Sequence, residues 1–354
     1  MSVTLNLQRT ARWPAAPSPM PGEIDPVPAY AAFIGMAGLL ATSVAFTEFT
    51  ADASLFTGLL QLAILLISAC LLRKLGLSRL AHGIEMTTLF TGFCACATLM
   101  SLMLAATSLP LADPILAAAD RAIFGPQSWP WLLRIARACP AAMTWLSLVY
   151  DTLLFQPLLL ISMLLMARAD RRLGIFILAW MIALLLTLAV APFAPAVAAY
   201  LYFGVDPHSI PGLRLHVAWE HVVTLRAVRD GSFRHLGVDS LYGIITFPSF
   251  HAAGAVLLGY GFQGFRLLRW PFTMLNAALF VSAIFVGGHF LVDLVAGAAI
   301  AVFAIFLGSR IVDRRCARHS GSTPRRADDR VRIRRANQAP AGCGAFAGSA
   351  MHIG

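Results

Sequence analysis

The chain has 354 residues, 58% of them hydrophobic and only 12% charged, with a formal net charge of +10. A mean hydropathy of +0.75 over that length excludes a soluble domain, which carries far more charge for its size. The class that remains is a polytopic membrane protein, expected as an all-α bundle of helices.

In chain order, the first 28 residues hold six prolines and no apolar core segment. They read as a disordered cytoplasmic N-terminus without a signal peptide. Eight apolar segments follow, at 30–46, 55–72, 86–108, 141–167, 173–202, 248–265, 271–288 and 291–307. Each is a candidate membrane span, and together they predict a membrane helical domain over 29–312. The fifth is too long for one straight span, and Pro192 and Pro195 are expected to end or kink it. The 109–140 loop alternates apolar and polar residues and carries Trp129 and Trp131, the pattern of an amphipathic segment lying in the interface. From residue 313 the chain is arginine, serine, glycine and alanine without an apolar period. That stretch, 313–354, reads as a disordered basic cytoplasmic tail, an orientation signal that can also rest on anionic headgroups. The cysteines form no disulfide or zinc framework; Cys94 and Cys96 lie inside an apolar run as small fillers.

Orientation follows from the loops. With the N-terminus inside, 20 of the 27 basic residues fall on the cytoplasmic side, which predicts both termini in the cytoplasm. The starts of the sixth and eighth segments then lie at the outer face.

Two motifs stand at those starts. The first is Thr-Phe-Pro-Ser-Phe-His-Ala-Ala at 246–253, where an arginine-bearing loop turns into an apolar run. The second is Gly-Gly-His-Phe-Leu-Val-Asp at 287–293. His289 follows His251 by 38 residues, or ~57 Å of helix. That is two crossings of a ~30 Å hydrocarbon layer, so the two histidines are expected to meet at one face. His289 and Asp293 are four apart and share a helical face. A carboxylate there fixes the imidazole tautomer and stabilises its cation, leaving the other ring nitrogen to attack phosphorus. His251 sits in a first helical turn, where unpaired N–H groups suit a phosphate. Ser249 is placed to cap that helix or to donate to a phosphate oxygen. One histidine attacking and one protonating the departing oxygen make a complete pair. Each motif alone is also a common capping or packing pattern. Their combination on one face, below a loop with arginines, is what points to chemistry, because ionisable groups at membrane depth are costly unless paired or used.

Pro248-Ser249-Phe250-His251, together with Ser282 and His289-Phe290-Leu291-Val292-Asp293, resembles the second and third motifs of the type 2 phosphatidic acid phosphatase superfamily. Two departures mark this chain. Ala283 stands where the family's third motif carries arginine, and the first motif, a lysine followed by Arg-Pro, is absent. Both features are similar to the inositol phosphorylceramide synthase-like branch, with its bacterial relatives, whose second motif reads Phe-Pro-Ser-x-His. The resemblance implies a catalytic core at about 141–312, with His289 as nucleophile forming a phosphohistidine, Asp293 orienting it and His251 as general acid. It leaves the phosphate clamp open. By position Arg226 and Arg229, in the same outer loop, are the candidates, with Ser249 as a further substrate contact. Asp113, Asp120, Tyr150, Asp151 and Gln156 are polar groups near the outer ends of earlier segments, placed either to line a headgroup pocket or to act as interfacial caps.

The expected activity is headgroup phosphotransfer or phosphate-ester hydrolysis on a phosphorylated lipid, at the outer face of a bacterial inner membrane. No metal or other cofactor is implied. The partners are that substrate and the surrounding membrane lipids, and nothing points to nucleic acid. The competing reading is a transporter or scaffold with structurally paired histidines. It calls for a polar path through the spans, where few polar residues lie, among them Glu48, Gln61 and Asn276.

Overall fold

The computed structural model describes residues 25–214 and 217–321. Of the two stretches expected to be disordered, 1–28 and 313–354, residues 1–24 and 322–354 lie outside the described residues, while Val27, Pro28 and 313–321 are helical. The chain divides into two units, Met1–Val312 and Asp313–Gly354. Of the second, only the stretch to Gly321 is described, and it is helical.

All eight apolar segments become helices, because apolar backbone in lipid has to satisfy its own hydrogen bonds. They are α1 (Val27–Phe46), α2 (Ala53–Lys74), α3 (Ser78–Ala105), α6 (Pro140–Met166), α7 (Asp170–Val190), α10 (Phe250–Phe262), α11 (Arg269–Phe285) and α12 (Leu291–Gly321). Between them lie α4 (Asp113–Phe124), α5 (Ser128–Ala138), the short α8 (Ala199–Tyr202) and α9 (Val217–Asp230). The protein is thus an all-α integral membrane bundle. Among the described residues, six helices are long and apolar enough to cross a membrane. The remaining two, α10 and α11, have 13 and 17 residues, so they rise only ~20 and ~26 Å. The histidines therefore meet through a hairpin shorter than the ~57 Å of continuous helix that their spacing allows.

Helix ends are set locally. Asp52 caps α2 by accepting from the Ser54 N–H at 2.7 Å, and Arg73 and Lys74 sit in its last turn, where the dipole favours cations. As expected, α7 stops at the prolines, passing into a 3-10 turn at Ala191–Phe193. The amphipathic 109–140 loop folds as α4 and α5, with Trp129 buried and Trp131 exposed.

The core is built around α3 and α7, whose spans are 61% and 67% buried, whereas α2 is 6% buried. Leu89, Phe93, Phe176, Ile177 and Phe262 make up much of this centre. Ile34, Phe56, Leu60 and Ile67 on α1 and α2 point outward, as lipid-facing side chains do. A two-residue parallel pair, β1 (Thr50–Ala51) with β2 (His235–Leu236), ties the α1–α2 connection to the segment that leads into the 246–253 motif.

Candidate active site

The 246–253 motif bends through a cis Phe247–Pro248 bond into α10. Ser249 is the helix cap: its Oγ accepts from the Ala252 N–H at 3.4 Å, and its own N–H donates to the Asp293 carbonyl at 3.1 Å. Gly297 makes that approach possible. A Cβ built there would stand 2.2 Å from the Ser249 carbonyl oxygen, so only glycine lets α12 lie so close to α10. His251, half-buried, stacks on Tyr150 of α6 with ring centroids 3.9 Å apart and planes 14° apart. The N–H groups of Phe250 and His251 have no hydrogen-bond partner among the described residues, so α10 presents open donors in its first turn.

The second motif is a tight turn between α11 and α12. Gly288 has a φ of +63°, which favours glycine, and its carbonyl accepts from the Ala199 N–H at 2.8 Å. A Cβ at Gly287 would lie 2.7 Å from Cδ2 of His289 and 3.1 Å from its Nε2. His289 Nδ1 and Asp293 Oδ2 are 3.3 Å apart, and the Phe290 N–H donates to the same oxygen at 3.0 Å. Both side chains are buried, and Asp293 Oδ1 has no partner among the described residues. Burial pushes His289 down to about 4, against the pull of the Thr246 carbonyl, which favours the charged ring. The imidazole is therefore neutral at neutral pH, the form a nucleophile needs.

The first turn of α12 is held from another helix. Asp120 of α4 accepts from the N–H groups of Leu291 (2.9 Å) and Val292 (2.8 Å), and from Trp129 Nε1 (2.9 Å). Thus α12 has its N-terminal donors taken by a carboxylate, while those of α10 stay open. Asp113, one face along α4, accepts from the N–H groups of Val197 and Ala198 at 3.1–3.2 Å. Both carboxylates act as clamps on backbone. Gln156 is engaged with Thr152 and with Asn276 of α11 at 2.8 and 3.0 Å, and Asp151 is exposed. Of the five polar groups near the outer ends, only Tyr150 contacts a motif histidine.

A third histidine joins the site. On α9, Ala218, His221 and Leu225 share a face by their three- and four-residue spacing. A Cβ at Gly288 would come 2.9 Å from the Ala218 Cβ. Leu225 lines a small cavity with Ile244, Thr246 and Phe247. His221, between them in sequence, lies within electrostatic reach of His289. It is held down at about 4, first by burial and then by the charge His289 would carry. His251 lies within electrostatic reach of both rings. The sequence holds no local motif around His221; its one signal is the apolar face of α9 on which it interrupts Ala218 and Leu225.

The two arginines proposed from sequence sit on α9 with His221. Arg226 is exposed, and five residues past His221 it points roughly 140° round the helix. Arg229 donates from Nη2 to the Leu109 carbonyl at 2.6 Å. Ala283 is fully buried against Ala252 and Leu294. At the position where the resembling family carries arginine, close packing of α10, α11 and α12 leaves no space for a guanidinium. Ser282 is likewise buried, its Oγ donating to the Leu279 carbonyl at 2.7 Å.

A family model described as PAP2 superfamily matches residues 114–307, more than half of the chain. The match contains Asp120, His221, His251, His289 and Asp293. No curated protein and no solved structure compared with the chain matches it.

Proposed function

The chain belongs to the PAP2 superfamily, whose members are phosphatases and phosphotransferases, and on that premise we propose that it transfers a phosphate group of a phosphorylated lipid through a phosphohistidine. The observation that carries the reading is the buried His289–Asp293 pair, 3.3 Å apart, within electrostatic reach of His251. In the first half-reaction Nε2 of His289 attacks phosphorus. The bond from phosphorus to the leaving oxygen breaks, and His251 supplies that oxygen's proton. The positive charge that grows on His289 is balanced by Asp293 through Nδ1. In the second half-reaction an acceptor oxygen attacks phosphorus and gives its proton to His251, and the P–N bond breaks to restore His289.

The phosphate is held by the open N–H groups of Phe250 and His251 at the start of α10, with Ser249 setting their direction as the cap. His221 supplies a further donor when the incoming phosphate charge brings a proton onto its ring. It thereby serves where Ala283 leaves no arginine. Arg226 and Arg229 act from the same helix by drawing anionic headgroups to this end of the bundle.

Ala283 also favours transfer to a hydroxyl over hydrolysis, by its likeness to the inositol phosphorylceramide synthase-like branch. The arginine bias of the loops favours a site on the periplasmic or outer side, with cytoplasmic termini. The test is a headgroup-release assay on radiolabelled phospholipids, with and without inositol or other polyols, beside quenching at alkaline pH to trap labelled histidine. His289→Ala is expected to lose both turnover and label while reaching the membrane at normal yield. Turnover at the wild-type level in that variant rejects the mechanism. Equal label with and without a polyol, and no polyol product, rejects transfer.

A further inference from the structure

At the end of the bundle away from the histidine cluster, where α3 and α7 begin and α6 ends, lies a groove of about 570 Å³. That is within the ~300–1,000 Å³ range of ligand sites. It runs along α3 from Arg79 to Thr88, ~14 Å by helical rise. Its polarity is graded. Arg79, His82 and Asp170 stand at one end. Deeper in, Leu65, Ile84 and Leu165 line it. The hydroxyls of Thr88 and Ser162 are already bonded to the Ile84 and Leu158 carbonyls of their own helices, so the deep part offers an apolar surface.

The polar end has unfilled capacity. Arg79, 38% exposed, makes both of its contacts through Nη2, at 3.5 Å to Asp170 and 3.2 Å to the Leu165 carbonyl. Its Nη1 and Nε have no partner among the described residues. His82 is buried, and its Nε2 has no partner there either. Glu85 does not answer Arg79, because Arg73 Nη2 and the Tyr30 hydroxyl hold its two oxygens at 2.7 Å each.

From the charged mouth and apolar depth we infer that this groove binds an anionic phospholipid, with an acyl chain along α3 beside α6 and its phosphate on the Arg79 fork. A guanidinium with two free nitrogens matches a phosphate better than a zwitterionic headgroup, whose own cation it repels. Gly83 keeps the groove open: a Cβ there would already stand 3.3 Å from Leu165 Cδ1. The site is separate from the proposed phosphotransfer centre and stands whether or not that reading holds.

The test is thermal unfolding of the full chain in detergent, with added phosphatidylglycerol or phosphatidylcholine. Phosphatidylglycerol is expected to raise Tm by several degrees and phosphatidylcholine to leave it within one. Arg79→Gln, at a partly exposed position, and Gly83→Leu, which fills the groove, are each expected to remove more than half of that rise. His289→Ala is expected to keep it. An equal rise with phosphatidylcholine, or an undiminished rise in Arg79→Gln, overturns the proposal as a general lipid effect. Loss of the rise in His289→Ala overturns it by moving the lipid to the histidine cluster. Should Gly83→Leu fail to fold, the Arg79→Gln result decides.

Discussion

His289–Asp293 and His82–Glu85 are two buried histidine–carboxylate pairs at opposite ends of one bundle, and they are wired differently. The first pair is spaced i,i+4 at 3.3 Å, the second i,i+3 at 3.9 Å. Glu85 is neutralised by Arg73 and also accepts from the Tyr30 hydroxyl. Among the described residues Asp293 accepts one backbone N–H, from Phe290, and meets no cation except the imidazole. The lesson concerns where the negative charge goes. A carboxylate matched by arginine shares its charge between that cation and the neighbouring ring, whereas one without a fixed cation leaves it to the ring alone. The second arrangement is what a nucleophile needs as it turns into a cation. The Glu85 arrangement joins α1, α2 and α3 to one another.

Three substitutions sharpen or break that contrast. The largest effect is expected from Asp293→Asn, which keeps the shape and removes the charge. Turnover of the phospholipid substrate should fall by ~10²–10⁴-fold while the unfolding temperature changes little. If turnover holds within a few-fold, Asp293 is a packing residue and the two pairs are alike. Glu85→Gln should reverse the pattern. Activity should stay within about twofold, and stability should drop by about 1.5–3 kcal/mol, the value of hydrogen bonds to charged groups. The lower half of that range applies, since the Arg73 side chain is 33% exposed and water takes over part of its partner's role. A collapse of activity without loss of stability would assign the chemistry to the wrong end.

The smallest effect concerns pH. His221 is held at about 4 against an ordinary 6.5, so between those values the unfolded chain binds more protons than the folded one. The stability tied to this group is complete above about 6.5 and is lost as the pH falls towards about 4. His289, held down in the same way, contributes in the same direction. His221→Asn should therefore make the fall in Tm between pH 6.5 and pH 4 shallower without abolishing it. An unchanged slope means that His221 is not buried as a neutral ring beside His289.

Much of the site is legible in the chain because its parts are local. A histidine just before a helix and an aspartate in its first turn lie close together, as His289 and Asp293 do at the start of α12, and Ser249 one residue before a helix caps it. His221 and Asp120 are not legible in this way. Asp120 reaches the backbone of Leu291 and Val292 across more than 170 residues, and nothing near it in sequence marks it as a helix cap. Arg226 and Arg229 are suggested by charge and by nearness in sequence to His251. The phase of α9, set by burying Ala218, Val222, Leu225 and Val228, instead turns Arg226 outward and presents His221. The polar groups near the outer helix ends raise the same problem. Whether Asp113 lines a pocket or holds the backbone of Val197 and Ala198 depends on which loop folds over it.

The amino-acid sequence by itself determined the helices, since apolar backbone in a bilayer has to bond to itself. It also determined the His289–Asp293 pair, since the turn into α12 and its first residues suffice to form it. The approach of His251 to that pair was decided by tertiary packing. It depends on the close approach of Gly297 on α12 to the Ser249 carbonyl at the start of α10. Tertiary packing likewise decided which carboxylate has an arginine beside it and which has only an imidazole. The cation that neutralises Glu85 comes from α2, across a turn and outside the helix that carries the pair, and among the described residues no arginine or lysine pairs with Asp293.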